Sequence, residues 1–314
     1  MRVSVAMTTY NGEHYIEKQL DSLRLQTRKI DELVIVDDCS KDATFALIDN
    51  YIEKWQLKNW KLYSSGNNNG WIVNFYNAIE KTTGDIVFFC DQDDEWNENK
   101  IQIMTDTMLE NEKISVLACR LRLIDSEGNE LPDNPERIPF NSHETHKVTK
   151  QDLDCLFSYA ISPGCTMAVR REYISKYNHF IYEEKIAHDA VYWKMGILSG
   201  TAYIFDAALI NYRIHNNNAS NPIVEKRHHT KKRDVRLNEN KSMKDQMEII
   251  KKIYVDSGEK DKHKLDLLNK EIEFFEEREK FLYSKINSIY FGIKWHKYYR
   301  SIKMFIGDIL SRKD

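Results

Sequence analysis

Five short clusters in this 314-residue sequence hold side chains suited to chemistry. The densest is Cys90-Asp91-Gln92-Asp93-Asp94-Glu95-Trp96, where an apolar run delivers three aspartates and a glutamate in close succession. Carboxylates so close repel one another unless a cation or solvent separates them. Hard oxygens of this kind suit Mg²⁺ or Mn²⁺, which also bind substrate phosphates; a solvated acidic loop is the plain alternative. Thr8-Thr9-Tyr10-Asn11-Gly12-Glu13 offers backbone groups and an aromatic ring that suit a nucleoside, or else a strand-to-helix turn capped by Asn11. In Asp37-Asp38-Cys39-Ser40 a carboxylate can accept from a base N–H, while Ser40 or Asp42 can cap the next helix. The carboxylate of Asp189, after His188, stands where a helix N-terminus stabilises an anion, as a general base or as an N-cap. Tyr212-Arg213-Ile214-His215 adds an imidazole able to bind Mn²⁺ and a guanidinium able to neutralise phosphate.

These clusters need elements to hold them. Residues 3–7, 33–36, 61–63 and 86–90 are short runs that predict buried strands. Between them Ile16, Leu20 and Leu23 recur at helical spacing, as do Phe45, Ile48 and Ile52, and 71–79 has the same character behind Gly70. This alternation predicts an α/β fold: a mostly parallel sheet with helices on both faces. Ligands of such sheets bind outside the carboxyl ends of the strands, where the first clusters stand. Further strands are expected at 115–123, 166–169 and 202–205, and a helix at 188–198. Residues 125–150 read as a surface excursion, order returns over 152–159, and 216–221 reads as a polar loop. From 240 to 281 a charged helical pattern runs, with a break near Gly258.

A formal charge of −3 removes any overall basic character of the kind nucleic acid requires, so no nucleic-acid partner is expected. Five scattered cysteines without a Cys-x-x-Cys pair argue for a reducing compartment and against a structural zinc site. No apolar stretch approaches transmembrane length and no secretory signal is read at the start, which makes a cytoplasmic location the expectation. Beyond residue 285, Ile286, Ile289, Tyr290 and Ile293 recur at helical spacing, then Ile302, Phe305, Ile306, Ile309 and Leu310, interleaved with Lys294, Lys297, Arg300 and Lys303. Such a stripe fits a helix lying in a membrane interface; packing on the catalytic domain or on a second subunit, as in a homodimer, is the alternative.

Taken in order, Thr9-Tyr10-Asn11-Gly12, Asp37-Asp38, Asn68-Asn69-Gly70 with Asn74-Phe75, Cys90 to Trp96, Gly164-Cys165-Thr166, His188-Asp189 and Tyr212-Arg213-x-His215-x-Asn217-Asn218 resemble glycosyltransferase family 2. Within it the sequence looks most like the bacterial rhamnosyltransferase-like branch. The resemblance spans residues 1–220 and implies a GT-A catalytic domain over 1–222, its nucleotide-sugar-binding half at 1–124 and its acceptor-side half at 125–222. Residues 223–314 would form a helical extension. Position by position it implies that Thr9, Tyr10, Asn11, Glu13 and Asp38 hold base and ribose, with Asn68 and Asn74 nearby. Asp91 would face the ribose or metal, Gln92 would join the nucleotide-sugar site, and Arg213 would help neutralise phosphate. Asp93 would be the principal ligand of Mn²⁺ or Mg²⁺, joined by Asp91 and His215, and Asp189 the base of an inverting displacement. The branch often shows His-Asp-Trp-Trp where this chain has His188-Asp189-Ala190-Val191, so the pocket wall differs and the sugar stays open. The implied donor is a dTDP- or UDP-sugar and the acceptor a lipid-linked or protein-linked glycan. A nucleotidyltransferase would want a glycine- and lysine-rich loop that Thr8 to Glu13 lacks. A non-catalytic nucleotide-sugar-binding scaffold would be expected to have lost the acidic cluster or Asp189.

Overall fold

The structure is a computed structural model and describes residues 1–132, 144–157, 162–215, 218, 232–284, 286–299 and 302–312. The chain divides into two compact units, one of residues 1–152 and 160–215, the other of 153–159 and 216–314. The expected domain boundary at 222/223 and most of the expected 216–221 loop lie outside the described residues.

In the first unit, β1 (Val3–Thr9), β2 (Glu32–Asp37) and β4 (Ile86–Cys90) are buried along their whole lengths, as parallel strands covered on both faces must be. β3 (Trp60–Ser64) is buried only at Trp60 and otherwise half-buried or exposed, unlike the buried strand expected at 61–63, because it lies at the sheet edge, where the charge of Lys61 is suited. These four pair in parallel in the order β3-β2-β1-β4. The helices α1 (Ile16–Arg24), α2 (Thr44–Lys54) and α3 (Trp71–Lys81) alternate with them, as the periodicity predicts.

The other half of the sheet is mixed, and its directions place the site. β8 (Met167–Arg170) runs antiparallel to β4 on one side and to β6 (Val116–Ile124) on the other. It follows a tight 3-10 turn, Gly164–Thr166, rather than a crossover helix, so nothing requires it to run parallel. Its amino end therefore lies beside the carboxyl end of β4. β9 (Ala202–Arg213) runs parallel to β6 and ends at that same edge. β5 (Glu95–Trp96) and β7 (Val148–Lys150) are short antiparallel additions to β9. The remaining helices are α4 (Lys100–Glu110), α5 (Arg171–Glu184) and α6 (His188–Ser199). Lys185 at φ +49 breaks the chain between α5 and α6, and Gly200 at φ +70 closes α6 with a left-handed cap.

In the second unit, α7 (Lys232–Asp256) and α8 (Lys262–Tyr283) are separated at Gly258, whose φ of +86 a side chain would resist. Asp261 caps α8 and Asn287 caps α9 (Ser288–Trp295); α10 (Ile302–Ser311) follows. A buried polar latch joins these helices. Arg278 meets Asp308 with two bonds of 2.7 and 2.9 Å, and Arg236 and Tyr299 add bonds of 2.6 and 2.8 Å to the same carboxylate.

Candidate active site

The loops after β1 and β2 are laced together. Thr9 donates its hydroxyl to Asp37 (2.8 Å), which also accepts from the Ser40 N–H (2.9 Å). Asn11, in left-handed conformation at φ +49, accepts from the Lys41 N–H (2.8 Å), and its own N–H donates to Ser40. Glu13 accepts the Ala43 N–H (2.9 Å) and so caps α2. Asp38 is buried and accepts from the N–H groups of Asn69 (2.9 Å) and Gly70 (2.8 Å) and from the Ser65 hydroxyl (3.1 Å). Asn74 donates to the Val36 carbonyl (2.8 Å). Five of the residues expected at the nucleotide thus brace these loops through their own hydrogen bonds, while Tyr10 and Asn68 are exposed. Gln92 grips both backbone groups of Tyr10, at 2.8 and 2.9 Å. Any Cβ on Gly12 would collide with the Gln92 amide, which is why a glycine suits that position.

The acidic cluster and Asp189 meet through the turn Gly164–Thr166. The Gly164 N–H donates to Asp189, and the Cys165 thiol hydrogen-bonds the carboxylates of Asp91 and Asp94. Ligand atoms of Asp91, Asp94 and Cys165 all lie within 4.8 Å of one another. Beneath them Lys100 is fully buried, its ammonium donating to the Cys165 carbonyl and standing 3.5 Å over the Trp96 ring. Burial, then the neighbouring carboxylates of Asp93 and Asp189, push Asp91 up to about 7. Burial raises Asp94 well above the usual carboxylate range, and Asp93 and Asp91 add to it. Asp189 is pushed up to about 6 by burial, against the N–H bonds it accepts. Burial holds His188 near 3 and therefore neutral; its imidazole packs on Phe75 and Phe89 and under Gly164.

Residues at the end of β9 close the cluster. His215 Nε2 is 2.8 Å from Asp93 Oδ2, and Tyr15 packs against the imidazole with ring centres 4.8 Å apart. The backbone N–H of Arg213 donates to Asp94 (3.0 Å). Its guanidinium is fully buried and donates to the carbonyls of Asp93, Asp125 and Ser126 and to Glu95. Arg213 thus clamps the acidic loop through these bonds. The donor chemistry here fits a hard divalent cation: several carboxylates whose mutual repulsion a cation would relieve, and one imidazole. Cys165, its pKa raised by burial, stays a thiol and serves as hydrogen-bond donor. Sequence reasoning left Asp94, Lys100, Cys165 and Tyr15 out of the candidate set. Asp94 and Cys165 stood inside quoted motifs, but Lys100 and Tyr15 give no signal apart from their fold neighbours.

Comparison with known proteins agrees with this architecture. The family model for glycosyl transferase family 2 matches residues 4–177, more than half of the chain. The chain belongs to glycosyl transferase family 2. Among curated relatives, this family 2 chain is 26% identical over 224 residues to an uncharacterized glycosyltransferase of Rickettsia typhi, covering 70% of this chain and 66% of that protein. It is 28% identical over 227 residues to the dTDP-rhamnosyl transferase RfbG of Shigella flexneri, covering 68% and 72%. The chain spans a little under two thirds of the first of these relatives. Among solved structures, it superposes on residues 1–349 of Staphylococcus aureus TarS in complex with UDP-GlcNAc with a TM-score of 0.58 at 19% identity, covering 98% of this chain and 82% of that one. That likeness establishes the GT-A type of fold.

Proposed function

We propose that this chain is an inverting, metal-dependent glycosyltransferase. It moves rhamnose or another hexose from a dTDP- or UDP-sugar to a hydroxyl of a growing, lipid-linked cell-surface glycan at the cytoplasmic face of a membrane. The observation that supports it best is the Gly164–Thr166 turn, which ties a carboxylate of raised pKa, Asp189, to the acidic cluster at the sheet edge where the nucleotide loops also end. Tyr10, Asn68 and the laced loops around Asp38 would receive the nucleoside. Asp93, Asp91 and His215 would hold Mn²⁺ or Mg²⁺, which when bound supplies Lewis-acid stabilisation of the diphosphate leaving group. Asp189 takes the acceptor hydroxyl's proton as that oxygen attacks the anomeric carbon. The bond to the donor diphosphate breaks on the opposite face, and the anomeric centre inverts. The dTDP-rhamnosyl relative supports a deoxyhexose donor, and the resemblance to a UDP-GlcNAc-bound fold supports the uridine alternative.

The test is nucleoside-diphosphate release from a panel of dTDP- and UDP-sugars, with Mn²⁺, with Mg²⁺ and with chelator. Chelator-sensitive release from one donor, lost in Asp93→Ala, is the expected result. Donor binding without cleavage would favour the non-catalytic scaffold, and if no nucleotide sugar is cleaved or bound by the folded protein with metal present, both readings fail.

A further inference from the structure

Helices α9 and α10 each bury one side and expose the other. Inward, Phe291 stacks on Phe281 of α8 and Trp295 packs at a tilt against Phe274 of the same helix. Phe305 of α10 rests on Gly292 of α9, where an added Cβ would stand 2.7 Å from its ring, so the two helices touch. Asp308 locks α10 inward through Arg278 and Arg236. Outward stand Ile289, Tyr290 and Ile293 on α9, and Ile302, Ile306 and Leu310 on α10, between 48% and 75% exposed. The last three repeat every four residues and form one stripe. Six such side chains on two touching helices exceed the scattered apolar residues of an ordinary surface.

The charge on this segment has one sign at the surface. Residues 286–312 hold five lysines and arginines and a single acid, Asp308, which is fully buried. Lys294 meets Glu277 and Glu273 of α8, and all three lysines, Lys294, Lys297 and Lys303, lie at the solvent-exposed surface. We propose that this face docks on an anionic lipid bilayer. α9 and α10 lie in the headgroup plane, the aliphatic stripe inserts, and Lys297 and Lys303 stand over lipid phosphates. No helix among the described residues is long and apolar enough to cross a membrane, so the helices lie along the surface. A second copy is the poorer occupant: a two-fold contact sets the same cationic face against itself. The proposal rests on the reading of a membrane-linked acceptor and names the surface that meets the membrane.

The test is sedimentation of the full chain with vesicles of phosphatidylcholine alone or mixed with phosphatidylglycerol. Two double variants run alongside, Ile293→Asn with Ile306→Asn and Lys297→Gln with Lys303→Gln, all at exposed positions. The wild type is expected to pellet with the anionic vesicles and not with the neutral ones. Each double variant should partition roughly tenfold more weakly, with lipid-free donor cleavage unchanged. A wild type that stays in the supernatant, or variants that pellet as it does, overturns the proposal. So does a concentration-dependent dimer that the isoleucine variant dissolves, which would put a second copy on this face. Lost vesicle binding with intact donor cleavage removes only the docking; lost cleavage with intact vesicle binding removes only the transferase reading.

Discussion

Asp189 is a carboxylate that the fold makes reluctant to ionise, and this has opposite effects on stability and on turnover. Its native pKa of about 6 lies above the ordinary value of 3.8, so the native state binds its proton more tightly than the unfolded chain. Above pH 6 both states are ionised and the native state bears the full cost; below pH 4 both are neutral and the cost disappears. Asp189→Asn should therefore raise the melting temperature at pH 8 by a few degrees, on the order of 2 kcal/mol, with the gain shrinking at pH 4. The same substitution should cut turnover about 10²- to 10⁴-fold, and wild-type kcat should fall as pH drops through 6; a pH–rate profile beside differential scanning fluorimetry checks all three. Gly164 offers a second handle. In Gly164→Ala the new Cβ meets the His188 imidazole, which has no room to retreat between Phe75 and Phe89. A loss of about 1–3 kcal/mol is expected, and, if Asp189 is the base as proposed, kcat should fall more than donor KM rises, because the turn holds Asp189 and not the nucleotide loops. Adding His188→Ala should restore part of the stability in chemical denaturation.

Among the elements, legibility followed burial on both faces. β1, β2 and β4 announced themselves as short β-branched or apolar runs, and α1, α2 and α3 through spacing, because in those segments local pattern and tertiary environment agree. The antiparallel direction of β8 left no trace, since four buried residues read alike in either direction. β9 was read as only its first few residues; its later part mixes buried with half-buried positions and carries polar side chains. The clustering of the candidates Asp91, Asp93, Asp189 and His215 was legible because their types are rare together, and the structure gathers them at one sheet edge. The structural duty of Arg213 was not, because a guanidinium looks the same whether it faces a phosphate or three carbonyls. In the helical unit, the charged pattern gave no hint that Arg278 and Asp308 form a buried pair, one residue of which sits in the amphipathic tail. Asp308→Ala should leave Arg278 buried without its partner and cost about 3–5 kcal/mol in that unit. Hydrogen exchange should then quicken in α10, with the amides of β1 and β4 unchanged.

For the molecule as a whole, a sheet whose first strands are parallel and whose later strands are mixed delivers loops from residues 9 to 215 to a single edge. A divalent cation bound there adds its binding energy to folding. At a hundredfold excess over Kd the gain is about 2.7 kcal/mol, so the melting temperature should climb with Mn²⁺ or Mg²⁺ in the wild type and barely move in Asp93→Ala. Arg213 and His215 reach back 118 to 122 residues along the chain to clasp Asp93, Asp94 and Glu95. At ~5–20 residues per second, a ribosome takes roughly 6 to 24 seconds to cover that distance. Throughout the interval the nascent acidic loop has no clamp. The clasped acidic loop is thus among the last features the growing polypeptide completes, well after the β1–β4 half of its sheet can pair.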